Sequence, residues 1–485
     1  MSLPEPDPRR WLILAVIAGA QMMVVLDATI VNIALPSLQT DLGISDSDRQ
    51  WVITAYALAF GGFLLLGGRV ADYWGRKRAF IAGMIGFAIA SALGGIAASG
   101  EVLFAARALQ GLFGALLAPA GLANLTTTFH DADERSKAFA VFGAVSAGGA
   151  AVGLLLGGIL TELLNWRWCL LVNTPVAIVA AIATYRVVTE SKVHKTGSLD
   201  IPGALLGTLG LVSLVYGFTK AGETSWTNST TIIFLAAALL MLGAFVAVES
   251  RHTNPLLPMR IPRNRNRGGS YLTSILLGAA IFGASLFLTY YFQGVLGYTP
   301  IQAGLASLPI SLGVFAAAGV LGKVLTKIGP RPVMFAGALC GAAGMILLAQ
   351  ISVDSSFWAL IFPGELLFGM GMGMIFVPLA NIALINVDPD DAGVASAVLN
   401  ASQQVGGSLG TALLNSVYTT AVTGFLVDNG IANPHDPRAL VHGFEVGFWW
   451  SAGLMMIAAV VIVVMIRADK KDLVEVEGDA VAHMG

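Results

Sequence analysis

The chain has 485 residues, of which 56% are hydrophobic and only 12% are charged, and its mean hydropathy is +0.77. Soluble domains carry about 25% charged residues, so this composition excludes an ordinary soluble protein and indicates one that crosses a membrane many times. The formal net charge of -2 excludes little, because the placement of Lys and Arg in such a chain matters more than their sum.

The first apolar stretch begins at Trp11 and contains one acid, Asp27, within the sequence LDATIVNIALP at 26–36. A transmembrane helix needs about 20 apolar residues, so this stretch predicts the first span. A charge near mid-membrane costs roughly 2.5–3.5 kcal/mol on insertion scales and therefore usually faces a bundle interior or a wet cavity. Asp27 is the first candidate functional residue.

Hydropathy windows of about 19 residues predict about fourteen transmembrane helices and an all-α membrane protein. Most of the 27 Lys and Arg residues then fall on one side of the membrane. Because Lys and Arg of short loops stay in the cytoplasm, both termini are predicted to be cytoplasmic. The predicted spans are 11–36, 51–72, 79–98, 102–125, 136–161, 168–188, 202–220, 231–249, 270–294, 303–324, 333–352, 357–381, 394–421 and 443–467.

Two pairs of features repeat along the chain. The turn at 68–78 (GRVADYWGRKR) and the turn at 322–332 (GKVLTKIGPRP) share the spacing of their glycines and basic residues. Arg107 stands four residues before a glycine in the fourth predicted span, and Glu365 does so in the twelfth. Internal repetition of this kind is typical of transporters, and places a substrate site near mid-membrane between two halves whose rocking alternates its access.

The repeat predicts two six-helix halves with a helix pair inserted between them. The inserted pair, spans seven and eight, is flanked by polar, charged linkers that suit a cytoplasmic connection. The predicted domains are 1–188 for the N-terminal half, 189–251 for the inserted pair, 252–470 for the C-terminal half and 471–485 for a cytoplasmic tail.

Four motifs carry a family resemblance that covers nearly the whole chain. They are the sequences at 26–36 and 68–78, LFAARALQGLFG at 103–114, and Trp166-Arg167-Trp168 followed by Asn173-Thr174-Pro175. With these motifs the chain resembles the major facilitator superfamily, and within it the fourteen-span drug:proton antiporters of the DHA2 family. The resemblance implies the major facilitator fold and an exporter that exchanges protons for drugs or antibiotics by alternating access, in the cytoplasmic (inner) membrane of a bacterium.

The fifth predicted span departs from the motif of that family. The resemblance implies Gly-Pro-x-x-Gly-Gly, but Leu154 stands at the position of the proline, so we expect the fifth helix to lack that kink. The glycines keep the small-residue spacing that lets helices approach closely. The predicted packing residues are Gly149, Gly153, Gly157 and Gly158.

Asp27 and Arg107 are predicted to couple transport to protons. Asp27 would carry the proton, which requires that water reaches it from each side of the membrane in turn, and Arg107 is its candidate partner. One alternative is a structural carboxylate at Asp27 held by Thr29 or Asn32. The alternative for Arg107 is a clamp that binds backbone or a polar neighbour.

Glu365 is the third predicted proton-coupling residue. It would exchange protons or attract a cationic substrate, and the alternative is an acid beside a wet outer vestibule.

The turn at 68–78 is predicted to contain a conformational latch. The resemblance implies charge pairing between helices that stabilises the outward-facing state, with glycines that permit close packing. The alternative is that its basic residues only fix the topology. The predicted latch residues are Gly68, Asp72, Gly75, Arg76 and Arg78.

Polar, aromatic and thioether side chains in the spans are candidates for a substrate pocket, because such groups adapt to varied ligands and cations. The alternative is that they face lipid or pack in the core. The predicted substrate-binding residues are Gln21, Asn32, Phe113, Tyr290, Met370 and Met374.

Enzymatic functions find no support in the sequence. No set of His, Cys and acids has metal-ligand spacing, and no phosphate-binding loop is present. We therefore expect no catalytic residue, cofactor, metal ion or nucleic acid, and a monomer in the lipid bilayer whose partners are protons and a drug-like small molecule. The alternatives are an exporter of one endogenous metabolite or siderophore, and a passive channel or scaffold.

Overall fold

The structure is a computed structural model that describes residues 8–46, 48–129, 132–190, 200–252, 255–385, 387 and 392–468. Every regular element within these ranges is helical, as expected for a chain whose backbone polar groups must be satisfied within lipid. The all-α fold predicted from the sequence is confirmed. The predicted tail 471–485 and most of the linker before the inserted pair lie outside the described residues.

Each of the fourteen predicted spans contains a helix, and two spans contain two. A single residue, Val172, separates the two helices of the sixth span, and Ser307 separates those of the tenth. The ninth and twelfth spans each include a π-helical turn, at Tyr291–Val295 and Phe357–Ile361. The helices are α1 (Arg10–Leu42), α2 (Trp51–Trp74), α3 (Arg76–Gly95), α4 (Gly100–Thr128), α5 (Ala132–Leu163), α6 (Trp168–Leu171), α7 (Asn173–Val187), α8 (Ile201–Glu223), α9 (Ser229–Arg251), α10 (Arg260–Arg263), α11 (Arg265–Tyr290), α12 (Pro300–Ala306), α13 (Leu308–Ile328), α14 (Pro330–Leu348), α15 (Phe362–Leu384), α16 (Ala392–Asp428) and α17 (Pro437–Met465).

Twelve of the described spans are long and apolar enough to cross a membrane by length and composition. The fifth and thirteenth predicted spans, α5 and α16, are not among them. The apolar part of α5 is the shorter stretch Gly148–Leu163, and α16 is a 37-residue helix rich in Ser, Thr, Asn and Gln. Their polar and small residues lower the hydropathy while allowing close helix packing.

The chain divides into two compact units. The first contains the residues up to Leu209 together with Ala247–Leu256 and Thr299–Leu305, and the second contains Gly210–Val246, Leu257–Tyr298 and the residues from Ala306 onward. Two of the unit boundaries fall inside α8 and α9. The division into two halves and an inserted pair stays a prediction.

The same pattern of helix packing occurs in each unit. In the first, α1 packs on α5, α2 packs on α4, and α3 packs on α4 and α7. In the second, α11 packs on α16, α13 packs on α15, and α14 packs on α15 and α17. These pairs correspond helix by helix in the order of the sequence repeat.

Glycines bring α4 and α15 against their neighbours at matching positions. Gly111 of α4 lies against the backbone carbonyl of Tyr56 in α2, and Gly369 of α15 lies against that of Ile310 in α13. Neither position has room for a β-carbon. These close contacts fix the helices one turn away from Arg107 and Glu365.

Candidate functional site

Asp27 lies at the centre of a buried polar network in the first unit. It stands on the face of α1 that also buries Leu26 and Ile30, and its side chain has 0% exposure. Its Oδ2 accepts a hydrogen bond from Arg107 Nη1 at 2.6 Å, and this contact is also an ion pair. Its Oδ1 accepts from Asn173 Nδ2 at 2.7 Å. The structure therefore brings together the acid and the base that sequence analysis expected to pair.

Gln110 completes the network from α4. Its Nε2 donates to Asp27 Oδ1 at 3.0 Å and to Ser91 Oγ of α3 at 2.8 Å, while its Oε1 accepts from Arg107 Nη1 at 2.8 Å. Neither Gln110 nor Ser91 was predicted from the sequence to be a site residue. The available signal was the spacing of Arg107 and Gln110, because residues three apart share one face of a helix.

Arg107 also binds α2. Its Nε donates to the carbonyl of Val52 at 2.9 Å, and its guanidinium lies 4.5 Å from the ring centroid of Tyr56. The backbone clamp and the partnership with Asp27, which sequence analysis treated as alternatives, occur together. Arg107 is 1% exposed, so these contacts replace its hydration, as a buried charge requires.

The alternative partners of Asp27 are wrong. The hydroxyl of Thr29 donates to the carbonyls of Val25 and Leu26, and Asn32 Nδ2 donates to the carbonyl of Ala28. Both side chains therefore bond to their own helix, because the preceding turn offers carbonyls within reach.

Water access to Asp27, which the proton-carrier hypothesis requires, is not met in this conformation. The side chain is fully buried and both carboxylate oxygens accept hydrogen bonds. Proton exchange at Asp27 therefore requires these bonds to open.

Glu365 has a different environment in the second unit. It lies near the start of α15 with 0% exposure, and neither carboxylate oxygen has a hydrogen-bond partner among the described residues. Its interpretation as an acid beside a wet vestibule is wrong for this conformation. An ionised carboxylate without a partner is costly in such a place, so Glu365 needs a proton or a cation that comes to it.

The predicted latch contains one charge pair within a single turn. Arg76 Nη2 lies 3.3 Å from Asp72 Oδ1, at a separation of four residues. Arg76 Nη1 also donates to the carbonyl of Ala123 in α4 at 3.4 Å. Gly68 makes an ordinary contact with Pro119 of α4. One polar contact from this turn to another helix thus runs from Arg76 to a backbone carbonyl of α4, and a second runs from Lys77 Nζ to the carbonyl of Tyr185 in α7 at 2.8 Å.

The acid that pairs with Arg78 is Glu190, which sequence analysis missed. Arg78 Nε lies 3.7 Å from Glu190 Oε2, and the Glu190 carboxylate accepts from the backbone N–H groups of Lys77 and Arg78. Gly75 has φ of +116°, and a β-carbon there would lie 2.6 Å from Glu190 Oε1. Glycine is therefore required at 75 for both the turn and the carboxylate.

The six predicted substrate-binding residues are all half-buried, but their neighbours differ. The ring of Phe113 packs against Gly86 of α3, and Met374 packs against Gly337 of α14. These two side chains therefore serve helix packing. Gln21 and Asn32 lie on one face of α1, where Asn32 Oδ1 has no hydrogen-bond partner among the described residues. Tyr290 is the last residue of α11, and Met370 lies in the first half of α15.

The predicted glycines of α5 lie against two different segments. Gly149 faces Val25, Gly153 faces Thr29, and Gly157 lies 2.7 Å, measured from an ideal β-carbon, from the carbonyl of Ile30. Gly158 lies instead against Pro300 at the start of α12. With Leu154 in place of proline, α5 continues without a break from Ala132 to Leu163.

Comparison with known proteins supplies the class. A family model described as Major Facilitator Superfamily matches residues 17–411. The helices, their repeated packing and this match define a membrane transporter of small molecules and not an enzyme. The chain belongs to the Major Facilitator Superfamily, so the family resemblance of its motifs is confirmed.

Several relatives are similar along most of their length. The puromycin resistance protein pur8 of Streptomyces alboniger is 48% identical over 464 residues, which cover 95% of this chain and 92% of that protein. The cephamycin export protein CmcT of Amycolatopsis lactamdurans is 38% identical and covers 84% of each chain. The tetracenomycin C resistance and export protein of Streptomyces glaucescens is 32% identical, covering 92% of this chain and 84% of that protein.

A solved structure shares the fold at low sequence identity. The POT family transporter PepTSo superimposes with a TM-score of 0.70 and 17% identity, covering 95% of this chain and 98% of that one. The major facilitator fold predicted from the sequence is confirmed.

Proposed function

We propose that this chain is a secondary active exporter that exchanges protons for hydrophobic or cationic drugs and antibiotics. The observation that carries the proposal is the Asp27–Arg107 ion pair, buried at 0% and 1% exposure and shared between α1 and α4. A buried ion pair inside a transmembrane bundle is expensive to keep and marks an ion or proton pathway. The similar proteins named for antibiotic resistance and export support the substrate class.

Protonation of Asp27 is the proposed coupling step. A proton on the carboxylate removes the negative charge that balances Arg107, so the network that joins α1, α3, α4 and α7 loses its strongest bond. Removing the charge of one partner of a buried ion pair costs about 3–5 kcal/mol of stability. That amount is sufficient to shift a two-state equilibrium between conformations.

Glu365 is the proposed second coupling residue. Its carboxylate has no partner among the described residues, so a proton or the cationic centre of a substrate would each neutralise it. One group cannot be neutralised by both at once, and this competition is what exchange requires.

The proposed setting is the cytoplasmic membrane of a bacterium, with both termini in the cytoplasm and the chain acting as a monomer. The distribution of Lys and Arg supports this orientation. The residues of the turn at 68–78 are then cytoplasmic, and we assign Gly68, Asp72, Gly75, Arg76 and Arg78 to a latch that favours one conformation.

Export of one endogenous metabolite is the second candidate function. Each of the three relatives named above is called after one antibiotic, which favours a narrow substrate range. A survival assay of a sensitive bacterial strain across a compound panel, beginning with puromycin, separates the two: a multidrug exporter protects against several unrelated compounds and a narrow one against a single class.

The test of coupling uses inverted membrane vesicles that contain the chain. We expect uphill accumulation of a compound found in that assay to need a proton gradient, to collapse with an uncoupler, and to be lost in Asp27→Asn. The matched control is Asp41→Asn, because Asp41 also lies on α1 and pairs with an arginine at 2.7 Å, but its side chain is 51% exposed. This control should keep the activity.

Two results would overturn the proposal in different ways. Uphill accumulation that survives in Asp27→Asn would remove Asp27 from the mechanism. Equilibration that needs no gradient would instead indicate a passive channel.

A further inference from the structure

The inserted helix pair, α8 and α9, has no part in the coupling scheme, yet both chain segments beside it bond to the turn at 68–78. Before the pair, Glu190 accepts from the backbone N–H groups of Lys77 and Arg78 at 3.1 and 3.3 Å. After the pair, the carbonyl of Pro255 accepts from Arg69 Nη2 at 2.9 Å. The turn at 68–78 therefore bonds both to the chain segment before α8 and to the segment after α9.

A third contact joins α8 to α2 within the membrane. A β-carbon placed at Gly62 would lie 2.9 Å from Cγ2 and 3.2 Å from Cβ of Thr208, which is 6% exposed. Such an approach leaves no room for a side chain at 62 while Thr208 keeps its methyl and hydroxyl groups. Two helices this close at a small residue pack backbone against side chain, as membrane helix pairs commonly do.

The start of α8 and the end of α9 also lie close to each other, next to the segments that bond to the turn at 68–78. Asp200 Oδ1 accepts from the backbone N–H of Gly203 at 2.8 Å at the start of α8. Asp200 Oδ2 and Glu249 Oε1 of α9 each lie 2.7 Å from the place of a β-carbon at Gly203. His252 Nδ1 lies 4.0 Å from Asp200 Oδ2. The start of α8 and the end of α9 therefore lie side by side at Gly203.

Two leucines in the middle of α9 are largely exposed in the part of the chain that the structure describes. Leu239 is 76% exposed and Leu240 is 74% exposed, as expected for side chains that face lipid.

We propose that the start of α8 (201–209) and the end of α9 (247–251), with the chain segments beside them, form a brace that moves together with α2 and holds the turn at 68–78 in position. Glu190 and Arg69 are positioning residues in this device. They do not touch the transported compound, and they act by fixing the backbone of the turn that contains the latch residues. The inference is independent of proton coupling, because it concerns which helices move together.

A disulfide across the third contact tests the brace directly. The full chain in native membranes would carry Gly62→Cys and Thr208→Cys, with Cys169→Ala and Cys340→Ala to remove the native thiols, which are both free. The 3.2 Å separation of the β-carbons is close to the 3.5–4.5 Å found in disulfides. We expect rapid and complete cross-linking under mild oxidation, at a rate that neither a proton gradient nor added ethidium changes.

Removal of the two ties should slow the cross-link. Arg69→Ala together with Glu190→Ala deletes one arginine bond and one carboxylate cap, and we expect a rate lower by about tenfold, the effect of one charge-assisted hydrogen bond. The control is Glu134→Ala, since Glu134 also pairs with an arginine and both Glu134 and Glu190 are 28% exposed. Glu134→Ala should leave the rate unchanged. Equal rates with and without the ties would overturn the proposal.

Transport gives a second, separate readout. If the brace moves with α2, the cross-linked protein should export substrate at the same rate as the reduced protein. In the protein with Arg69→Ala and Glu190→Ala, which should export more slowly, the cross-link should restore the rate and leave KM unchanged. Loss of transport on oxidation, reversed by a reductant, would show that the pair must separate from α2 and would overturn the brace. Cross-linking needs no gradient, so failure of proton coupling leaves this test intact.

Discussion

Two buried carboxylates in this chain have opposite surroundings. Asp27 accepts bonds from Arg107, Gln110 and Asn173, whereas Glu365 has no hydrogen-bond partner among the described residues. Both are 0% exposed. Burial alone therefore does not decide their chemistry. The charge of Asp27 is balanced by the protein, and that of Glu365 must be balanced by a proton or by another cation.

This difference predicts opposite effects on stability. Asp27→Asn leaves Arg107 buried without its counter-charge and should cost about 3–5 kcal/mol. Glu365→Met removes an unpartnered polar group at similar volume, so we expect a neutral or stabilising effect, with loss of proton-coupled transport. Thermal unfolding of the purified protein in detergent measures both. A Glu365→Met protein that unfolds as readily as Asp27→Asn would mean that Glu365 has a structural partner.

Some residues of the site can be predicted from the sequence and others cannot. Asp27, Arg107 and Glu365 can be recognised because charged residues inside transmembrane segments are costly and usually have a function. Gln110 and Ser91 cannot, because a polar side chain in a helix can bond to its own backbone and only the fold shows which ones bond elsewhere. Glu190 was not predicted, because acids are common in polar linkers. Nothing in the sequence shows that this carboxylate accepts hydrogen bonds from the backbone of the turn at 68–78.

At the scale of helices, the apolar stretches predicted where each element lies but not how it is interrupted. The breaks at Val172 and Ser307 and the two π-helical turns fall inside windows of continuous hydropathy. A window average reports apolar content and is insensitive to local hydrogen bonding. Glycine spacing in α5 was more informative, since it predicted close helix approach, and α1 lies against three of its glycines.

Two glycines of α5 should respond differently to the same substitution. Gly157→Ala places a β-carbon 2.7 Å from the carbonyl of Ile30 in α1, and overpacking of this kind costs about 1–3 kcal/mol. Among the described residues, no atom outside the backbone of α5 lies within 4 Å of an ideal β-carbon at Gly148, so Gly148→Ala should gain the helix preference of alanine, up to about 1 kcal/mol. Thermal unfolding of the two variants is the measurement. Equal effects would mean that α1 and α5 do not pack through Gly157.

At the scale of the molecule, the sequence repeat predicted equivalent helices, and each unit packs its own set in the same pairs. The repeat did not predict that Thr299–Leu305 cluster with the first unit, nor that two of the unit boundaries fall within α8 and α9. Those features depend on contacts between residues far apart in sequence, which periodicity does not encode.

The proposed exchange has an electrical consequence that depends only on charge balance. One proton exchanged for one monovalent cation moves no net charge, so the membrane potential, about 2.3 kcal/mol per 100 mV, does not drive it. Only the pH difference does, at about 1.4 kcal/mol per unit. We therefore expect nigericin, which collapses the pH difference, to stop the accumulation in inverted vesicles of a monovalent cation that the survival assay identifies as a substrate, for example ethidium.

Valinomycin with potassium, which collapses the potential, should leave ethidium accumulation unchanged, while a neutral substrate should respond to both ionophores because its exchange moves one charge. The paired measurement on the same vesicles separates stoichiometry from activity, since each substrate serves as the control for the other. Inhibition of ethidium accumulation by valinomycin would mean that more than one proton enters per cation. In the proposed scheme Glu365 would be the source of that second proton, because its carboxylate has no hydrogen-bond partner among the described residues.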